Sequence, residues 1–175
     1  RTSNIFQRLQ VGGLRRYYNH ISHRDWKGHI GPPGWNPLQI PGPAGPIHAR
    51  MYASHSGGDK PLIVYFHGGG WVIGDLDTHH PFCQTLSARS GCTVISVDYR
   101  LAPENPYPAA PDDCEAAALW LVKHGLAEFG STKLFIGGES AGANLAAVTL
   151  LRMRDRHGFS GFCGAVLTYG AYDLS

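Results

Sequence analysis

The chain lacks several features that would have fixed its class at once. It has no charge excess worth the name, only +2 over 175 residues. No Lys/Arg cluster is interleaved with aromatics, so a nucleic-acid partner is not expected. It has no apolar run near the ~20 residues that cross a bilayer, and no leader-like segment opens it. It has four cysteines, Cys83, Cys92, Cys114 and Cys163, but no C-x-x-C pair, which argues against a structural zinc site. Each lies in an apolar helix or strand pattern, so buried free thiols in a reducing compartment, the cytoplasm, are expected. No internal repeat is visible. What remains is a chain of one-domain length, 43% hydrophobic and 16% charged, enough to bury a core.

Organisation follows from the punctuation. Residues 1–30 carry Ile5, Phe6, Leu9, Leu14, Tyr17, Tyr18 and Ile21 at roughly helical spacing, interrupted by Gly12-Gly13. The segment is basic, with Arg8, Arg15, Arg16, Arg24 and Lys27 against Asp25. A short lid or packing helix is the favoured reading over a membrane-surface helix. His20 and His23 share a helix face, but no carboxylate or cysteine completes a metal set, and surface histidines are expected. Between Gly31 and Pro46 fall Pro32, Pro33, Pro37, Pro41, Pro43 and Pro46, half of the twelve prolines. Such a stretch is neither regular helix nor central strand. The expected division is therefore 1–46, lid segment and connector, and 47–175, the body.

The body alternates. Ile47–Ala53 has strand period, Leu62–Phe66 is a continuous apolar run, as in a strand buried on both faces, and Thr93–Val97 is another buried strand. Helices are expected over Thr78–Ser90, with Thr78 as N-cap and Gly91 as stop, and over Pro111–His124, with Asp112 and Asp113 in the first turn and Gly125 closing it. Lys133–Gly137 is a strand, Ala141–His157 a long helix ended by Gly158, and Ala165–Tyr169 a last strand. Strand and helix in alternation mean an α/β fold, a mostly parallel sheet with helices on both faces.

Three stretches carry chemistry. Gly138-Glu139-Ser140-Ala141-Gly142 stands between a strand and a helix, the setting of a G-x-S-x-G nucleophile elbow. The glycines are needed where side chains would strike the packed strand and helix. The turn lifts the Ser140 hydroxyl off the strand end and aims a helix N-terminus at whatever the serine attacks. His67-Gly68-Gly69-Gly70-Trp71 follows the strand 62–66, and its bare amides suit an oxygen gaining negative charge. His67 is expected to shape this loop rather than act as base. Asp98-Tyr99-Arg100-Leu101-Ala102-Pro103-Glu104 leaves the strand 93–97, where an ion-paired structural turn is the plain reading.

In this order, the three stretches closely resemble those of the hormone-sensitive-lipase-like esterases, the bacterial family IV carboxylesterases of the α/β-hydrolase superfamily. Ile40–Gly45, Gly74–His79 and Tyr107–Ala110 agree with that resemblance, which covers about residue 40 onward. It implies an α/β-hydrolase fold with an N-terminal cap, and hydrolysis of small carboxylic esters with short to medium acyl chains. It further implies Ser140 as nucleophile, with the oxyanion held by the N–H groups of Gly69, Gly70 and Ala141. Neither cofactor nor metal is implied. Glu139 stands where the family often has aspartate, and Ala143 where it often has glycine.

The departure lies beyond the elbow. The superfamily's triad runs serine, acid, histidine, yet after Ser140 the only acids are Asp155 and Asp173 and the only histidine is His157. At 1.5 Å per residue, His157 would sit about 25 Å along the helix from Ser140. Asp173 resembles a structural aspartate of the family. The triad acid and base, and the last strands of the sheet, are thus expected beyond Ser175, in a later segment or a second chain. The alternatives are a non-catalytic, receptor-like binder on the same fold, or an inactive fragment whose strand 165–169 ends as an exposed apolar edge. Assembly into a homo-oligomer is left open.

Overall fold

The computed structural model describes residues 10–20, 34–53 and 60–173. His23 and the rest of the lid region outside 10–20 lie outside the described residues. A six-stranded sheet runs in the order β1-β2-β4-β3-β5-β6. Its strands are β1 (Asn36–Gly42), β2 (Gly45–Tyr52), β3 (Leu62–Phe66), β4 (Thr93–Val97), β5 (Leu134–Glu139) and β6 (Gly164–Thr168). The β1–β2 and β2–β4 pairs are antiparallel; β4–β3, β3–β5 and β5–β6 are parallel. The α/β architecture expected from the alternation is what forms. One adjustment concerns the proline-rich connector, whose residues 36–42 are strand β1 of this sheet and bury Ile40. Prolines are tolerated there because β1 is an edge strand, with one side free of ladder bonds.

The helices are α1 (residues 10–20), α2 (His80–Ser90), α3 (Ala109–Trp120), α4 (Leu126–Phe129) and α5 (Ala141–His157). α3 and α5 pack on one face of the sheet and α2 on the other. The pleat of β3 shows why its run is wholly apolar: Leu62, Val64 and Phe66 join the larger core, while Ile63 and Tyr65 join a second cluster with Cys83. β3 and β4 are buried at every position.

Several expected boundaries move, those of β2, β5 and β6 by one or two residues. Thr78 is not the N-cap of α2; His79 is, without a side-chain cap bond. The Thr78 hydroxyl instead donates to Asp75 O at 2.9 Å and accepts from the Asp75 N–H at 2.9 Å, closing the turn before the helix. α3 starts at Ala109, two residues early, and Gly125 does not close it. A π-helical turn (Leu121–Gly125) and α4 carry the helix on to Gly130. Gly125 stays right-handed at φ −62°, and only Gly130, at φ 64°, takes the left-handed conformation that ends a helix. Gly12-Gly13 does not break α1, which runs through both; the tertiary bonds of Arg15 outweigh the ~1 kcal/mol that each glycine costs a helix. By contrast Gly91 and Gly158, at φ 71° and 62°, stop their helices as expected. The thiols are free, but only Cys83 and Cys114 are buried. Cys163 is exposed because it leads into β6, whose outer edge has no neighbouring strand among the described residues.

Candidate active site

The elbow is built at the end of β5. Ser140 has φ 50° and ψ −117°, a conformation rare outside glycine, and α5 begins at the next residue. Such strain, of order 1–3 kcal/mol, persists only where the surroundings enforce it. Here the Ser140 N–H donates to Thr168 O at 3.0 Å, and the Asn144 N–H donates to Ser140 O at 3.1 Å. The flanking glycines leave no room for side chains. A Cβ on Gly138 would lie 2.4 Å from the Gly142 carbonyl carbon, and one on Gly142 would lie 2.0 Å from Phe66 O. The second contact matters most, because Phe66 and His67 lead into the glycine loop. Elbow and loop are in backbone contact at this point. The Ser140 side chain is half-buried.

The loop itself turns back through three left-handed residues, Gly69 at φ 121°, Gly70 at 60° and Trp71 at 61°. Gly69 O accepts from the N–H groups of Val72 and Ile73, at 3.1 and 2.9 Å. His67 is wholly buried and stacked between the rings of Tyr99 and His79, at 4.3 and 5.1 Å. Its Nδ1–H donates to Gly68 O at 2.8 Å, and the Tyr99 hydroxyl donates to His67 O at 2.7 Å. Burial, aided by the neighbouring His79, pushes the His67 imidazole down to about 4, so the ring is neutral. Its Nε2 is buried without a partner.

Glu139 stands out in the sequence as part of the elbow motif, but its bonds to His79 and Tyr169 do not. The His79 Nε2–H donates to Glu139 Oε1 at 2.7 Å, and the Tyr169 hydroxyl donates to Oε2. The bond to His79, with that from Tyr169, brings the carboxyl down to about 2 against the pull of burial. The available signal was the placement of His79 at the end of the Gly74–His79 stretch. Arg15 of α1 also went unmarked. Its guanidinium donates to Val72 O at 2.7 Å and Ala102 O at 2.8 Å, and pairs with Glu104 at 2.8 Å. In the turn after β4, Arg100 pairs with the buried Asp113 at 2.8 Å, the ion-paired structural turn expected there. Asp112, also expected in the first turn of α3, pairs with Arg152.

Asp155 and His157, which follow Ser140 on α5, are engaged elsewhere. His157 bonds Glu115 at 2.8 Å at the far end of the 17-residue α5, and Asp155 pairs with Arg154. Among the described residues no group of three or more His, Cys, Asp or Glu is arranged to hold a metal. Beside the loop and the first turns of α5 opens a mainly apolar cleft of about 450 Å³, lined among others by Trp71, Tyr107, Asn144 and Val148.

The family described as alpha/beta hydrolase fold matches residues 63–175. Over 137 residues the chain is 47% identical to the carboxylic ester hydrolase LipN of Mycobacterium tuberculosis, which covers 77% of this chain and 36% of that protein. It is 33% identical to the acetyl esterase of Salmonella schwarzengrund, covering 91% of this chain and 50% of the other. The esterase of Pyrobaculum calidifontis superposes with a TM-score of 0.88 at 41% identity, covering 94% of this chain and 54% of that one. The chain therefore spans about a third to a half of the length of these relatives.

Proposed function

Since the chain belongs to the alpha/beta-hydrolase fold family, we propose that it is the amino-terminal part of a serine carboxylesterase that cleaves small esters of short to medium acyl chain through an acyl-enzyme. The observation that carries the reading is the strained Ser140 elbow set by Gly142 against the backbone that opens the glycine loop. Maintaining such strain is costly, and it serves a nucleophile.

In this mechanism Ser140 Oγ attacks the ester carbonyl and the N–H groups of Gly69, Gly70 and Ala141 take up the negative charge. The tetrahedral intermediate collapses, expelling the alcohol, and water then repeats the sequence to free the acid. The triad acid and the histidine that carries the proton lie beyond Ser175, in a later segment or a second chain. The engagement of His157 with Glu115 supports this, as does the length of the relatives. The apolar lining of the cleft beside Trp71 supports an aliphatic acyl or alcohol group. Among the described residues no helix is long and apolar enough to cross a membrane, and the free thiols support a reducing, cytoplasmic setting.

A receptor-like binder would use the same cleft but would have no need of a strained serine. A fluorophosphonate ester probe separates the two. In the intact protein it labels Ser140, and Ser140→Ala abolishes labelling. Labelling that survives the substitution refutes the nucleophile, and an unlabelled wild type that still binds ester analogues supports the receptor.

A further inference from the structure

We propose that Glu139 is the positioning residue that locks the oxyanion loop to the nucleophile elbow. Its carboxylate joins three separate elements. It lies against Gly68 of the loop after β3, and it accepts from the His79 Nε2–H at the cap of α2 and from the Tyr169 hydroxyl in the turn after β6. Only a carboxylate suits this place, since it accepts at two oxygens and donates nothing. The fit is tight: a Cβ on Gly68 would lie 2.9 Å from Glu139 Oε1.

The consequence runs through two peptide planes. Glu139 packs against the peptide plane between His67 and Gly68, whose carbonyl the Tyr99 hydroxyl holds at 2.7 Å. His67, through the 2.8 Å bond from Nδ1–H to Gly68 O, fixes the next plane, which also carries the Gly69 N–H. Peptide planes are rigid, so the two grips together aim the Gly69 amide. Because Glu139 adjoins Ser140 in the chain, the residue that aims the amide moves with the nucleophile. The distance between attacking oxygen and oxyanion donors then depends on Glu139 together with the grips of His67 and Tyr99 on the loop.

This inference rests on the ester-hydrolase reading, and steady-state kinetics of the intact protein with a p-nitrophenyl ester separate the two. Misplacing reacting groups by ~1 Å costs up to about a hundredfold. Glu139→Gln, which keeps the shape but offers one acceptor oxygen, is therefore expected to lower kcat about ten- to a hundredfold. KM stays within about twofold, since the ground state makes little use of these amides. Tyr169 is 72% exposed, so Tyr169→Phe leaves folding intact and is expected to lower kcat about two- to tenfold through the loss of one hydrogen bond. Fluorophosphonate labelling slows in parallel in both variants. Wild-type turnover with unchanged kcat in Tyr169→Phe and Glu139→Gln overturns the inference alone. So does a Glu139→Gln loss that appears as a lower folded fraction, with normal kcat per labelled active site. An intact wild type without hydrolysis or labelling overturns the ester-hydrolase reading itself.

Discussion

At the scale of single residues, position 142 shows how little freedom the site has. A Cβ there would meet Phe66 O at 2.0 Å and His67 O at 2.6 Å, and both are backbone atoms that cannot rotate away. Gly142→Ala must therefore push α5 off the end of β3, at a cost of about 1–3 kcal/mol typical of overpacking. Urea denaturation is expected to report that loss, and fluorophosphonate labelling of Ser140 to fall with it. Full stability and labelling in Gly142→Ala would show that the elbow can slide. The glycines around Ser140 were legible in the sequence because their reason is local: a strand, a turn and a helix within five residues. The bonds of Glu139 were not, since its partners stand 60 and 30 positions away, at His79 and Tyr169. Nothing in the spacing of a motif announces a contact of that range.

At the scale of elements, runs that are buried on both faces were the most readable. β3 and β4 fall at the residues expected because both are buried at every position, which keeps β3 apolar throughout and admits only the small polar Thr93 and Ser96 in β4. Boundaries that depend on conformation rather than composition were less so. Gly125 and Gly130 are the same residue type, and only the fold decides which takes positive φ. The edge strand β1 was hidden by its prolines, and α1 by Gly12-Gly13. α1 is held by Arg15, whose guanidinium reaches carbonyls at Val72 and Ala102 and the carboxylate of Glu104, and by Asn19, whose side-chain amide donates to Asp75 at 2.9 Å. Each hydrogen bond contributes about 1 kcal/mol net. Arg15→Ala is therefore expected to speed amide exchange across residues 10–20 by at least about tenfold, with β3 and β4 unaffected. We propose that α1 is the lid expected from its sequence, so the ester KM rises as well. Unchanged exchange in α1 would assign its anchoring to other contacts.

At the scale of the whole molecule, acid stability sums groups whose protons respond in opposite directions. His67 is held down to about 4 from an ordinary 6.5, chiefly by burial. Between those values the unfolded chain binds a proton that the folded one refuses, so stability falls as pH falls. His80 is lowered in the same sense, again chiefly by burial. Asp98 is pushed up to about 6 from 3.8 by burial and by Asp75. Over that interval the folded chain binds the extra proton, and stability rises as pH falls. Glu139, at about 2 against an ordinary 4.5, is lost only below 4.5, and Asp75, lowered chiefly by its hydrogen bonds with Thr78 against the opposing effect of burial, adds to that loss. From pH 6 to 4 the His67 and Asp98 contributions therefore oppose each other, and a steep decline is expected only below about 4. Asp98→Asn removes the opposing proton. Urea unfolding across a pH series should then show the variant's stability declining from about pH 6.5, at a slope approaching the ~1.4 kcal/mol per pH unit of one proton. A variant profile parallel to the wild type between pH 6 and 4 would mean that Asp98 is ionised in the folded state. In that case the turn after β4 holds a buried charge that some neighbour neutralises, and the His67 imidazole would have to be less shielded than its stacking between Tyr99 and His79 implies.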